Sequence, residues 1–229
     1  MNDRYDVPGG LFNDRYDAGH ALAALLRRFE PEHPVVLGIP RGGVPLAAAI
    51  AQDLDAELDV IVARKLGAPE SAELAIGAVT ANGGQYLNER MIRELGVRQD
   101  YLEREIAHQM EEALRREQRF RGSNHHISLE GRTVIIADDG LATGATMRAA
   151  VRSVRQRAPK HLIVAVPVGS IQACEALRDE ADEVVCPHQP ESFWAVGFYY
   201  RHFEPVLDEE VASILASYRK RQAIAGAGA

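Results

Sequence analysis

Two adjacent carboxylates, Asp138 and Asp139, follow an apolar run over residues 134–137 and precede a turn rich in threonine and glycine. Four consecutive apolar residues are typical of a strand that is buried on both faces of a parallel sheet. The turn over residues 143–146 opens a predicted helix, where backbone N–H groups and hydroxyls can surround an anion. The combination suits a ligand that carries both sugar hydroxyls and a phosphate group.

Other phosphate-binding motifs do not match this turn. A Walker A loop requires a Gly-Lys-Ser/Thr sequence, and the turn contains no lysine. The dinucleotide-binding fingerprint G-x-G-x-x-G is absent from it as well. Because acidic residues are common at strand ends, an ordinary strand end without a ligand is the alternative interpretation of Asp138 and Asp139.

Two further segments place cations at the ends of predicted strands. Arg41, Gly42 and Gly43 lie between the first predicted strand and a helix, and glycines let backbone N–H groups approach an anion closely. Arg64 and Lys65 end the next predicted strand. The alternative interpretations are an ordinary strand-to-helix turn and a solvated basic pair.

The order of predicted elements favours an α/β fold. Fully apolar strands alternate with amphipathic helices, which predicts an open, mostly parallel, doubly wound sheet with helices on both faces and a small accessory hood region. Ligands of such sheets bind outside the carboxyl ends of the strands, where the acidic pair and the glycine loop are predicted. We expect a single domain over residues 1–218, with the N-terminal helix and residues 187–207 as accessory parts, and a flexible tail over residues 219–229.

Three other segments are interpreted by their structure. Residues 64–71 lack periodicity and contain a glycine and a proline, so a mobile loop is predicted there. A helix predicted from about Gln99 to Arg119 has charges of both signs and is interpreted as a solvent-facing element. The pentapeptide at residues 2–6 recurs at residues 13–17, and one such repeat predicts no repeat architecture.

Composition excludes several classes of protein. A net charge of −7 and a pI of about 5.6 argue against a nucleic-acid-binding protein that is held by phosphate contacts. The polar N-terminal residues and the lack of a long apolar run predict neither a signal peptide nor a membrane partner. Cys174 and Cys186 are too few for a disulfide framework, so a reducing cytoplasm is the expected compartment. His125 and His126 are interpreted as solvated side chains and not as metal ligands.

The acidic pair followed by Thr-Gly-x-Thr resembles the phosphoribosyl diphosphate (PRPP) signature of type I phosphoribosyltransferases. The resemblance extends over roughly residues 35–211 and includes the order of the loops. It implies that Asp138 and Asp139 hold the ribose 2′- and 3′-hydroxyls, and that residues 143–146 surround the 5′-phosphate. The PRPP-binding residues that it implies are Arg41, Gly42, Gly43, Arg64, Lys65, Asp138, Asp139, Gly140, Ala142, Thr143, Gly144, Ala145 and Thr146.

The same resemblance implies a catalytic set and a metal ion. Mg²⁺ is expected to bind together with PRPP, with Asp138 and Asp139 as its ligands directly or through water. The loop that continues from Arg64 to Ala72 is expected to close as a lid over the diphosphate. The expected catalytic residues are Asp138, Asp139, Lys65 and Arg41.

The aromatic segment at residues 193–200 resembles the part of purine phosphoribosyltransferases that lines the nucleobase pocket. Aligned on the Val-Gly pair, Trp194 is the expected stacking residue, and Val196 is the second expected acceptor-binding residue. A core or interface role is the alternative. Ala142 replaces the acidic residue that many purine enzymes carry before Thr-Gly, and alanine can neither accept a proton nor hydrogen-bond a base. Residues 166–168 also lack the lysine that those enzymes use to bind the base.

The leading hypothesis is a transferase that moves the 5-phosphoribosyl group of PRPP to a nucleobase-like nitrogen acceptor, releases pyrophosphate and serves nucleotide salvage. The alternative is a PRPP-binding regulatory or sensor protein with little or no transferase activity. A third interpretation is an unrelated α/β domain that binds a phosphosugar. The sequence does not identify the acceptor. It also leaves the oligomeric state open, although members of this family commonly form homodimers.

Overall fold

The computed structural model describes residues 10–122 and 127–226 of the chain. Short 3₁₀ turns follow the first helix and lie within the aromatic segment. The strands are β1 (Val35–Gly38), β2 (Glu57–Val60), β3 (Ala63–Ala68), β4 (Ser71–Thr80), β5 (Gln85–Leu87), β6 (Thr133–Ala137), β7 (His161–Ala165) and β8 (Glu183–Val185). The helices are α1 (Arg15–Leu26), α2 (Gly43–Asp53), α3 (Glu89–Glu94), α4 (Gln99–Arg121), α5 (Ala145–Arg155), α6 (Ile171–Arg178) and α7 (Asp208–Gly226).

The central sheet is parallel and has the strand order β2-β1-β6-β7-β8. This arrangement confirms the predicted open parallel sheet. Gly38 at the end of β1 pairs with Ala137 at the end of β6, and Ala137 pairs with Ala165 at the end of β7. Because these strands end in register, the loops that follow β1 and β6 begin side by side at one edge of the sheet.

Successive residues of the central strands face opposite helical layers, as the pleat of a strand requires. Val36 and Ile135 pack in one buried cluster with α1, α2 and α7. Leu37 and Ile136 pack in the other cluster with α5 and α6. The helices therefore cover both faces of the sheet, as predicted for a doubly wound fold.

A small antiparallel sheet of order β3-β4-β5 lies beside the central one. The prediction of a mobile loop over residues 64–71 is wrong, because this segment forms most of β3 and the turn into β4. The strand lacks an alternating apolar pattern, so its own sequence gave little indication of it. Antiparallel pairing, with Arg64 opposite Val79 and Lys65 opposite Ala78, determines its conformation.

Helix α4 is more than the solvent-facing element predicted from its charges. Its residue Arg121 is buried and donates from Nε to both carboxylate oxygens of Asp59 at 3.0 Å. The same guanidinium donates to Glu117 at 2.9 Å and to the carbonyl oxygen of Val60 at 2.7 Å. Burial lowers the pKa of Arg121, but the two carboxylates outweigh burial and the net shift is upward. This ionic cluster fixes the end of α4 against β2.

The C-terminal segment is helical where a flexible tail was predicted from residue 219 onward. Helix α7 continues to Gly226, because its side chains bond back to the α2–β2 connection. Tyr218 and Gln222 both donate to the carbonyl oxygen of Ala56, at 2.9 and 3.0 Å, and Arg219 donates to that of Arg121. The pentapeptide copy at residues 2–6, the histidine pair at 125–126 and the last three residues lie outside the described residues.

Substitution of Arg121 by methionine tests the role of the ionic cluster. Two carboxylates, Asp59 and Glu117, would lose the guanidinium that bonds to them, so the free energy of unfolding should fall by about 3–5 kcal/mol. Arg115→Met is the control, since Arg115 is exposed and pairs with Glu112 on the surface, and its effect should stay within about 1 kcal/mol. Urea unfolding of both variants measures the difference. Equal stability of the two variants would contradict a structural role for the cluster.

Candidate functional site

The acidic pair lies at the carboxyl end of β6, where the sequence predicts a ligand. The backbone N–H of Asp139 donates to Oδ1 of Asp138 at 2.9 Å. Oδ2 of Asp139 accepts a hydrogen bond from Nε of Arg15 at 2.8 Å. The hydroxyl of Tyr200 donates to the carbonyl oxygen of Asp139 at 2.6 Å. Residues far apart in the chain thus hold the pair in one orientation.

Burial raises the pKa of Asp138 well above its ordinary value, and the charge of Asp139 raises it further. Burial also raises the pKa of Asp139, and the hydrogen bond from Arg15 opposes that rise. Each carboxylate is therefore less stable in the folded protein than in water. Hydroxyl donors or a cation from a ligand would relieve this cost.

Arg15 and Tyr200 are site residues that the sequence analysis missed. The Arg15 guanidinium lies 3.9 Å from the centre of the Phe203 ring and donates to the carbonyl oxygen of Glu204 at 3.0 Å. Arg15 belongs to the second copy of the repeated pentapeptide, in which Asp14 caps α1. The repeat is the feature of the sequence that draws attention to Arg15, and it gives no indication that this residue contacts Asp139.

The loop after β1 approaches the acidic pair so closely that a side chain would not fit. A Cβ atom on Gly42 would lie 1.9 Å from Oδ2 of Asp139, and one on Gly43 would lie 2.7 Å from the carbonyl oxygen of Ala137. The peptide bond between Pro40 and Arg41 is cis. Arg41 is half-exposed, and its Nη1 lies 3.9 Å from a carboxylate oxygen at the start of α7.

The predicted anion-binding turn leads into α5. Gly144 has a φ of +76°, which favours glycine, and Ala145 is the first residue of the helix. The first N–H groups of a helix have no carbonyl partner within it, and the helix dipole favours an anion there. Gly140 lies beneath Val196, because a Cβ atom on this glycine would meet the Val196 side chain at 2.5 Å.

A cationic cavity of about 560 Å³ lies between the glycine loop, β3, α4 and α5. It brings together Arg41, Arg64, Lys65 and Thr146, all of which the sequence analysis singled out. Burial lowers the pKa of Arg64, and the nearby charge of Arg116 lowers it further. Helix α4 adds wall residues that the sequence analysis missed: Glu105, Gln109 and Arg116.

A second cavity, the aromatic cavity, has a volume of about 750 Å³ and also borders the turn. Ala142 and Thr143 form part of its wall, and Trp194 lines it with 80% of its surface exposed. Val196, the other expected acceptor residue, is not among the residues that line this cavity and packs over Gly140 instead. The remaining described wall residues include Tyr86, Arg148, Ser170, Gln172 and Phe193.

Residues 14–201, which contain the acidic pair and the turn between the two cavities, match the family model of the phosphoribosyl transferase domain. The chain belongs to the phosphoribosyltransferase family. It is 42% identical over 217 residues to two proteins of Mycobacterium tuberculosis, each named "Putative phosphoribosyl transferase". These residues are 95% of this chain and 49% of the relatives, so the chain spans about half the length of the curated relatives it matches.

This member of the phosphoribosyltransferase family shares its fold with a bacterial protein whose crystal structure is known. The protein TT1426 from Thermus thermophilus is 45% identical in sequence and superposes with a TM-score of 0.77. The match covers 90% of this chain and 98% of that chain. Within residues 10–122 and 127–226, no helix is both long enough and apolar enough to cross a membrane.

In the described part of the chain, Asp138 and Asp139 are two side chains at the candidate site that could hold a metal ion. The described part of the chain contains no cluster of three or more His, Cys, Asp or Glu side chains arranged as a metal site. Mg²⁺ commonly binds through one or two carboxylates, substrate phosphates and water, without a complete protein cage. Two partly buried carboxylates beside a cationic cavity fit an ion that arrives with a phosphorylated ligand.

Substitution of Arg15 by glutamine tests whether this residue controls Asp139. Loss of the charge-assisted hydrogen bond removes the interaction that opposes burial, so the pKa of the Asp139 carboxyl should rise further. NMR titration of the aspartate carboxyl carbons measures this value. Arg28→Gln is the control, since Arg28 pairs with Glu183 on the surface. An unchanged Asp139 pKa would contradict the assigned role of Arg15.

The raised pKa of Asp138 predicts a pH-dependent gain of stability in Asp138→Asn. The folded protein holds the Asp138 proton more tightly than the unfolded chain does, so wild-type stability falls as the pH rises from the unfolded pKa, about 3.9, through the folded value. Asparagine does not ionise. The variant should therefore unfold at higher urea concentration than wild type at pH 7, and the difference should shrink towards pH 4. A difference that does not change with pH would contradict the interpretation.

Proposed function

We propose that this protein transfers the 5-phosphoribosyl group of PRPP to a nitrogen acceptor and releases pyrophosphate. The observation that carries the proposal is the position of the turn at residues 143–146 between the two cavities. Thr143 lines the aromatic cavity, and Thr146 lines the cationic cavity. PRPP bears a 5′-phosphate, a hydroxylated ring and a diphosphate, and its acceptor must approach from the side opposite the diphosphate. A turn at a helix start whose first residue lines an aromatic cavity and whose last residue lines a cationic cavity suits such a ligand and its acceptor.

In the proposed complex, Asp138 and Asp139 accept hydrogen bonds from the ribose 2′- and 3′-hydroxyls. Both side chains are already fixed, Asp138 by the N–H of Asp139 and Asp139 by Arg15. Two donors from the ligand would satisfy carboxylates that burial destabilises. The 5′-phosphate would lie at the start of α5, surrounded by Gly140, Ala142, Thr143, Gly144, Ala145 and Thr146.

The diphosphate would occupy the cationic cavity. Arg41 and Lys65 reach this cavity from the glycine loop and from β3, and Arg64 lines it beside Lys65. Gly42 and Gly43 leave the backbone of the glycine loop open to close approach. Mg²⁺, when bound with PRPP and held by Asp138 and Asp139 directly or through water, would supply further positive charge to the leaving group.

The reaction breaks the bond between the anomeric carbon and a diphosphate oxygen and forms a bond from that carbon to the acceptor nitrogen. Negative charge accumulates on the departing diphosphate, where Arg41, Arg64 and Lys65 stabilise it. The remaining contribution of the protein is to hold the two reactants in line and close together. Ala142 cannot take the proton that the acceptor nitrogen loses, so that proton would pass to water or to the departing diphosphate.

The acceptor would bind in the aromatic cavity. The indole of Trp194 and the ring of Phe193 offer flat apolar surfaces, and Ser170 and Gln172 offer hydrogen-bonding groups. This combination suits a planar, nucleobase-like compound. Because Ala142 lacks the acidic contact to the base that many purine enzymes have, analogy with those enzymes does not identify the acceptor, and an acceptor screen is needed.

Pyrophosphate release measures the proposed activity directly. The full chain is incubated with Mg²⁺, PRPP and a panel of nucleobases and amines, and turnover on at least one acceptor is expected. PRPP binding without turnover on any acceptor would contradict the proposed transferase activity and support a PRPP sensor. The absence of an acidic side chain at Ala142 is the observation that favours a sensor. Failure to bind PRPP would contradict both functions.

The double variant Asp138→Asn with Asp139→Asn tests the ribose assignment. Each carboxylate is expected to accept a charge-assisted hydrogen bond, so PRPP affinity should fall about 100-fold, as measured by titration calorimetry. Asp179→Asn is a matched control, because Asp179 is exposed and lies at the end of α6 away from the acidic pair. Affinity equal to that of the control would contradict the assignment.

A further inference from the structure

Helix α4 forms one wall of the cationic cavity. Glu105, Gln109 and Arg116 all line that cavity, and their spacing of four and seven residues places them on one face of the helix. Arg41 and Thr146 line the same cavity. The helix therefore contributes side chains to the same space as the glycine loop and β3.

Arg116 stands in this wall without a counter-ion. It is partly buried, and no hydrogen bond or ion pair joins it to any residue in the described part of the chain. The adjacent Arg115 is different, because it is 73% exposed and donates to Glu112 at 2.7 Å. A guanidinium that is partly removed from water needs an anionic partner, and the described protein supplies none to Arg116.

Gln109 orients Arg64 without neutralising it. Oε1 of Gln109 accepts from Nε of Arg64 at 3.0 Å, and its own Nε2 donates to Glu105 at 3.1 Å. Glu105 also accepts from the backbone N–H of Gly67 at 3.4 Å. The carboxylate of Glu105 is thus bonded to amide groups, and the direct partner of Arg64 is neutral.

The charges that line the cavity are unequal. Four cations, Arg41, Arg64, Lys65 and Arg116, face two carboxylates, one of which is Glu105. Arg64 and Arg116 also repel each other, and a multivalent anion between them would convert that repulsion into attraction. A diphosphate has enough charge and enough oxygens to accept from several of these groups at once.

We propose that Arg116 of α4 is a further diphosphate-binding residue and that Gln109 positions Arg64 for the same group. The inference rests on the proposed PRPP-dependent function. The guanidinium of Arg116 joins the cations of the glycine loop and β3 in this cavity. The mixed charges of α4 had predicted only a solvent-facing helix. The ligand class is a diphosphate, either free or carried by a sugar phosphate.

Titration calorimetry with inorganic pyrophosphate, PRPP and ribose 5-phosphate tests the assignment of Arg116. Arg116→Gln should weaken binding of pyrophosphate and PRPP about 10- to 100-fold, because it removes hydrogen bonds to a charged group. Binding of ribose 5-phosphate should not change, since that compound has no diphosphate, and this result also shows that the variant is folded. Arg116→Lys should recover part of the affinity, and Arg115→Gln is the matched control.

Gln109→Glu tests the positioning role. The substitution keeps the size of the side chain and its hydrogen bond to Arg64, but it adds a negative charge that pairs with the guanidinium and removes the amide group that donates to Glu105. Pyrophosphate affinity should fall about 10-fold while ribose 5-phosphate affinity is retained. If the pyrophosphate affinity of Gln109→Glu is unchanged, the claim that Arg64 needs a neutral partner to bind a diphosphate is wrong.

The outcomes separate this inference from the proposed function. If wild type binds pyrophosphate and PRPP and Arg116→Gln behaves like Arg115→Gln, the inference is wrong and the proposed function stands. If wild type binds neither compound, both are wrong. If Arg116→Gln selectively loses both compounds but no acceptor supports turnover, the diphosphate assignment holds and the protein is a PRPP-binding protein without transferase activity.

Discussion

Neighbouring carboxylates at the end of a buried strand repel each other, and the hydrogen bond from Arg15 to Asp139 is the contact that keeps this pair in place. It joins the start of α1 to the end of β6 across 124 positions of sequence. Phe203 and Glu204 hold the guanidinium from the other side, and Tyr200 bonds to the backbone of Asp139. The N-terminal helix and the aromatic segment therefore support the carboxylates directly. Burial without this support would favour the protonated acids, which accept hydrogen bonds from sugar hydroxyls more weakly than carboxylates do.

The glycine loop depends on the same carboxylates. Gly42 approaches Asp139 so closely that any side chain would displace it, and Arg41 of the same loop lines the cationic cavity. Because β1 and β6 end in register, this contact follows from the parallel sheet itself. The sheet thus brings an acidic surface and a cationic one together within a single edge. A ligand that carries hydroxyls at one position and phosphates at others matches that separation of charge.

Helix α4 connects the stability of the fold to the site. Its C-terminal turn is fixed to β2 by the buried cluster of Asp59, Glu117 and Arg121, and the same stretch of helix carries Arg116 in the cavity wall. A helix that is held by a buried ionic cluster presents its outward side chains in a defined position. Tyr101 bonds from the same helix to the carbonyl oxygen of Gly67 at 2.9 Å, which ties the β3–β4 hairpin to it. The α4 wall and the β3 wall of the cationic cavity are therefore fixed to each other.

Local sequence patterns determined much of the fold of this protein and part of its candidate site. Apolar strands alternating with amphipathic helices indicated the doubly wound sheet. The Asp138–Asp139 pair with its Thr/Gly turn indicated both the family and the edge of the sheet where a ligand is expected. Both signals are readable because strand periodicity and helix starts are local properties of the chain. The segment at residues 64–71 was mistaken for a loop, since β3 acquires its conformation only by pairing with β4. Arg15, Tyr200 and Arg116 could not be found from sequence either. Arg15 and Tyr200 bond to Asp139, and Arg116 lines a cavity with Arg64 and Thr146, all far away along the chain. Only packing of α1, the aromatic segment and α4 around one sheet edge brings these groups together.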